Sequence, residues 1–196
     1  MKLQNSSTTA TALRQRVGGL ILMSVFTLFW ASVAFFAFAN SAYKFMLLIF
    51  PTLSVFFTYQ AIQFGRLAKA LPDEVSANPE EEKKRKRLFL IITSAEGLGI
   101  FLAVNIATNL GHPELRIPAL ALVVGLHFFP LAKVFKRNMD YYLGAWSTII
   151  ALVAIGLSLN KTWSPPGMLE FTGIGLAMAT SIYGLNMARH LPSRCR

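Results

Sequence analysis

Six long apolar runs separated by short polar connections constrain this chain more than any other feature. A bilayer core about 30 Å thick is crossed by roughly 20 residues of apolar helix. Runs of that kind occupy residues 17–39, 43–63, 88–109, 117–134, 141–159 and 168–188. Composition agrees: 54% of residues are hydrophobic and 14% charged, against roughly 45–50% and about 25% in soluble domains. A mean hydropathy of +0.50 excludes a disordered chain, and a single cysteine, Cys195, excludes a disulfide scaffold. The sequence therefore predicts an all-α membrane protein with six transmembrane helices. Residues 14–196 form one domain behind a mobile, Ser/Thr-rich cytoplasmic tail at 1–13.

The formal charge of +10 would ordinarily suggest nucleic acid, but the charges lie between apolar runs, so the expected partner is the bilayer and not a nucleic acid. Sixteen Lys and Arg residues fall on the side holding both termini and the 66–87 loop; only Lys44, Arg116 and Lys161 fall on the other. Short loops rich in Lys and Arg stay inside, which predicts cytoplasmic N- and C-termini. Arg14, Arg16, the apolar run and Ala37-Phe38-Ala39 imitate a cleavable signal peptide. That run exceeds the roughly 7–15 residues of a signal core, so it is read as the first span.

The 66–87 loop carries its own helix signal. Asn78 before Pro79 fits an N-cap with proline in the first turn. Glu80, Glu81 and Glu82 suit the positive helix start and stand four residues before Lys84, Arg85 and Lys86. The third helix is thus expected to begin near Pro79 and continue to Asn109, about 46 Å at 1.5 Å per residue. The cluster Lys83, Lys84, Arg85, Lys86 and Arg87 is read first as a topology determinant and second as a contact for anionic lipid.

Arg66, Lys133 and Arg189 end the even-numbered runs, and six residues before each come Gln60, His127 and Tyr183. Nine residues after Arg87 and Arg137 come Glu96 and Trp146. The pattern is compatible with three helical hairpins in a pseudo-threefold bundle, and the apolar surface leaves a homo-oligomer open.

Ionisable groups at membrane depth are functional candidates by default. Within the predicted spans, His127 is the only histidine and Glu96 the only acid away from a span end, Glu170 lying at the start of the sixth. Glu96 and His127 lie about 13 Å and 9 Å above their basic helix ends, on helices joined by a short loop. Their matched depth allows a Glu96–His127 contact, with the rotation of each helix left open; such a pair would be either a proton or cation site or a hydrogen bond locking two helices. Asn105, Thr108 and Asn109 share a helical face; Gln60, Asn105, Asn109 and Tyr183 are candidates to extend a polar pathway. Gly97 and Gly99 suit close packing, and Pro51 and Pro130 suggest kinks. Too few ligands exist for a metal site, and no nucleophile elbow, zinc-protease or phosphate-loop motif occurs. Neither an enzyme nor a cofactor is expected.

The segment Gly125-Leu126-His127-Phe128-Phe129-Pro130-Leu131-Ala132, continued by Lys133-Val134-Phe135 and Tyr141-Tyr142-Leu143-Gly144, resembles small six-helix bacterial membrane proteins grouped in domain-of-unknown-function families. The resemblance covers about 30 residues by its motif extent. It implies a bacterial inner membrane and carries over no catalytic or binding residue. The leading expectation is a small transporter or channel using Glu96 and His127. The alternative is a non-transporting accessory or stress-response protein whose polar residues only fix helix packing.

Overall fold

The computed structural model describes residues 10–38, 42–71 and 78–189. Six helices cover them: α1 (Ala10–Ala37), α2 (Ile49–Ala70), α3 (Pro79–Asn109), α4 (Arg116–Phe135), α5 (Asn138–Leu159) and α6 (Pro165–Arg189). Short 3-10 segments, Ala42–Leu48 and Pro113–Leu115, lead into α2 and α4. All six helices are long and apolar enough to cross a membrane. Large apolar side chains stand outward at mid-helix, with Val55 71%, Phe101 63% and Ile149 60% exposed. So much exposed apolar surface needs an apolar solvent. The chain is a multi-pass, all-helical membrane protein.

Helix ends follow local chemistry. The Asn78 side chain accepts from the Glu81 N–H at 3.3 Å, Pro79 occupies the first turn, and Glu82 pairs with Lys86 at 2.7 Å. The third helix thus begins where its cap predicts. Other starts also move upstream of the hydropathy boundaries, two of them with consequences. Helix α1 begins at Ala10, because Leu13 is buried in the core along with Leu20; residues 10–13 are therefore helix and not tail, while 1–9 lie outside the described residues. Helix α5 begins at Asn138, which brings Asp140 into its first turn. Pro51 is not in the middle of α2: it lies in the first turn, at the junction with the 3-10 segment, where proline is better tolerated than in a helix interior. Pro130 does fall inside α4. Gly111, at φ 80°, turns the chain between α3 and α4.

The helices pack in the order α2–α1–α6–α5–α4–α3, with α6 also touching α2 and α4. A threefold ring of hairpins needs α2 against α3, and these helices have no substantial contact, so the pseudo-threefold expectation is corrected. The cause is α6, which is small enough to be the hub. A Cβ on Gly173 would come within 2.6 Å of the Ala34 nitrogen on α1, and one on Gly184 within 2.5 Å of the Phe57 ring on α2. Small residues let helix backbones approach in membranes, where dispersion contacts replace the hydrophobic effect as the drive for packing. Trp30, Phe57 and Phe64 then fill the space that remains.

Helix α3 behaves differently. Among its described residues only Ala107 is buried, and it packs on α4 and the Pro113–Leu115 segment. Its single contact face carries Ile92, Glu96, Gly99, Ile100, Ala103 and Ala107, all at least partly buried. Gly99 meets Val123 of α4, whereas Gly97 faces open space; only one of the two glycines serves close packing.

Candidate functional site: a buried Glu–His pair and a basic-end cavity

The α3 contact face carries Glu96 to α4, where its Oε1 lies 3.2 Å from His127 Nδ1; both side chains are mostly covered, at 13% and 10% exposure. His127 Nδ1 also lies 2.6 Å from the Val124 carbonyl oxygen. A carbonyl only accepts, so Nδ1 carries the proton and Nε2 is the acceptor of the neutral ring. One N–H therefore faces two oxygens, and protonation at Nε2 places an imidazolium beside the carboxylate. The neighbouring Phe128 ring lies 4.2 Å from the imidazole, centroid to centroid.

The remaining pathway residues do not join this pair. Asn105 follows Glu96 by nine residues, and at about 100° per residue that is the opposite side of the helix. It is exposed, and its amide donates to the Phe101 carbonyl of its own helix at 2.7 Å. Asn109 is exposed as well. Gln60 sits on α2, at the other end of the packing order from α3. Lys83, Lys84, Arg85, Lys86 and Arg87 are all exposed, on the part of α3 preceding its apolar run.

Tyr183 is buried, and its hydroxyl donates to Asp140 Oδ1, a carboxylate only 3% exposed. Arg137 is near enough to act electrostatically on both. Asp140 escaped the sequence reading because hydropathy starts the fifth span at Tyr141. The available signal was local: an acid in the turn after Arg137 and Asn138 suits a helix start.

Beside Tyr183 opens a cavity of about 370 Å³ between the starts of α1 and α5 and the end of α6. Its polar lining comes from Gln15, Arg16, Arg137, Asn138, Tyr183 and Asn186. This is the basic end of the bundle, shared by Arg14, Lys133 and Arg189. Among the described residues no three His, Cys, Asp or Glu side chains converge as a metal site.

Other polar contacts are structural in form. Ser24 of α1 and Ser54 of α2 exchange hydrogen bonds: each hydroxyl donates to the other's carbonyl, at 2.9 and 2.5 Å. Trp146 Nε1 of α5 donates to the Gly175 carbonyl of α6 at 2.9 Å. Thr27 of α1 donates to Thr180 of α6, also at 2.9 Å. Comparison with family models, with curated proteins and with solved structures finds no match.

Proposed function

We propose that this protein is a non-conducting accessory component of the bacterial inner membrane, with both termini cytoplasmic, and that Glu96–His127 is a helix fastener. One observation carries the proposal. Each sequential hairpin has a polar contact eight or nine residues along its first helix from that helix's basic end: Ser24–Ser54 in the first, Glu96–His127 in the second and Trp146–Gly175 in the third. Ser24 follows Arg16 by eight residues, while Glu96 and Trp146 follow Arg87 and Arg137 by nine. An ionisable pair occupying the position of a serine clasp and an indole–carbonyl bond performs the same job as they do. The centre of the bundle, filled by α6 and its apolar neighbours, supports the same reading. So does the separation of Gln60, Asn105 and Asn109 from the pair. The resemblance around Gly125–Ala132 fits a bacterial inner membrane and names no activity. Lys83–Arg87 hold the basic end at anionic lipid, and lipid covers the outward faces of α3.

A transport reading stands second. It is favoured by the Glu96–His127 contact itself, two mostly covered groups that exchange protons readily in other settings. Proton and cation flux in proteoliposomes separates the two. The accessory role predicts no flux above protein-free vesicles under either gradient, and lower melting temperatures for Glu96→Leu and His127→Ala. Flux in the wild type that vanishes in Glu96→Gln and His127→Ala, at unchanged protein yield, replaces it with transport.

A further inference from the structure

We propose that the cavity at the basic end is a binding site for a phosphate-bearing anion. The assignment is independent of the Glu96–His127 pair, which lies on other helices. At about 370 Å³ the cavity falls in the range of small-molecule sites, roughly 300–1,000 Å³. Two guanidinium groups line it, Arg16 from α1 and Arg137 from α5, and guanidinium is the side chain whose paired N–H groups match phosphate oxygens. Arg137 is oriented by the Phe135 ring, 4.9 Å from its guanidinium carbon. Gln15, Asn138 and Asn186 add neutral amides.

Two further features point the same way. Arg137 is the N-cap of the 22-residue α5 and supplies no side-chain cap, so the positive end of this helix opens beside the cavity. The nearby acid is turned away: Asp140 is 3% exposed and held by Tyr183, which itself lines the cavity. The carboxylate thus takes its hydrogen bond from Tyr183 and is not part of the cavity lining. Met139 and Met187 complete the lining with apolar surface, suited to the glycerol or acyl stem of an organic phosphate. A phospholipid headgroup and a free phosphate ester share this chemistry.

The test uses the full chain in neutral detergent, with thermal melting followed against three probes: dihexanoyl phosphatidylglycerol, the zwitterionic dihexanoyl phosphatidylcholine, and glycerol 3-phosphate. The expected result is saturable stabilisation by an anionic probe and none by phosphatidylcholine. Arg16→Gln and Arg137→Gln each raise the half-saturating concentration about tenfold, the loss expected for one charged hydrogen bond. Asn186→Trp, which fills the cavity from an exposed position while keeping every charge, weakens binding too, and it reports on the cavity even where an arginine variant folds poorly. Lys84→Gln with Lys86→Gln leaves the half-saturation unchanged. Stabilisation by phosphatidylglycerol alone assigns the site to a lipid headgroup, and stabilisation by glycerol 3-phosphate as well assigns it to phosphate esters in general. The proposal is overturned if no anionic probe stabilises the wild type, or if Asn186→Trp binds as the wild type does. It is equally overturned if the Lys84/Lys86 variant is the one that loses binding.

Discussion

Glu96 sits on a helix whose outward positions are filled by Leu98, Phe101, Leu102 and Ile106, and it makes its polar contact across the α4 interface, with His127. His127→Phe keeps a ring of similar size and removes the Nδ1–H that faces Glu96 and Val124. Interhelical polar contacts in membranes contribute about 0.6–2 kcal/mol, and a chain of this size loses roughly 2–4 °C per kcal/mol. The variant should therefore melt a few degrees lower in detergent, with its helical signal unchanged. Tyr183→Phe should cost more, about 1–3 kcal/mol, because it strips a donor from a buried carboxylate and adds nothing in return. Pairing it with Asp140→Asn, which removes the charge but keeps an acceptor, should recover part of that loss in the same melting experiment. The matched depth of Glu96 and His127 was legible because depth and a short connection follow from counting residues, whereas the helix rotation that turns the two together was not. The failure of Asn105 to join was also countable, since nine residues is two and a half turns. Asp140 was hidden for a different reason: hydropathy finds where an apolar run begins, whereas a helix begins at its cap, several polar residues earlier.

At the scale of the helices, hydropathy and end signals locate all six, and the Asn78–Pro79 start of α3 shows how far local chemistry alone reaches. Neighbour order is less accessible, because most helices here mix small and large apolar residues. The clue to the hub was in α6 itself, where Gly173, Gly175, Ala177, Ala179, Ser181 and Gly184 concentrate small side chains on one helix. That composition costs helix propensity, and close packing on several sides is what offsets it. Leucine at two of these glycines should discriminate sharply. Gly173→Leu drives a side chain into the α1 backbone, and Gly184→Leu drives one into the Phe57 ring; both should sharply reduce the folded yield in membranes. Gly97→Leu meets nothing within 4 Å and should be neutral or slightly stabilising, since leucine is the better helix former. Expression with a fluorescence-detected size-exclusion profile compares all three, and equal profiles would contradict α6 as the hub.

The whole molecule is graded from a packed side to a thin one: α6 is enclosed by α1, α2, α4 and α5, and α3 hangs on α4 and the short Pro113–Leu115 segment. The charge is graded along the other axis. Thirteen described Lys and Arg residues gather at one end, with Lys44, Arg116 and Lys161 at the other. Because loop charge sets orientation during insertion, this asymmetry predicts a basic end in the cytoplasm, with the cavity and the exposed start of α3 on the same side. Cysteine labelling in intact cells tests it. With Cys195→Ser as background, Thr162→Cys should react with a membrane-impermeant maleimide once the outer barrier is opened, and Lys84→Cys only after the inner membrane is permeabilised. Both positions are exposed, so accessibility of the side chain does not limit either reaction. The reversed pattern would place the basic cavity outside the cell. Labelling of both in intact cells would mean that the chain inserts in two orientations, and that its sixteen-to-three charge asymmetry does not control insertion.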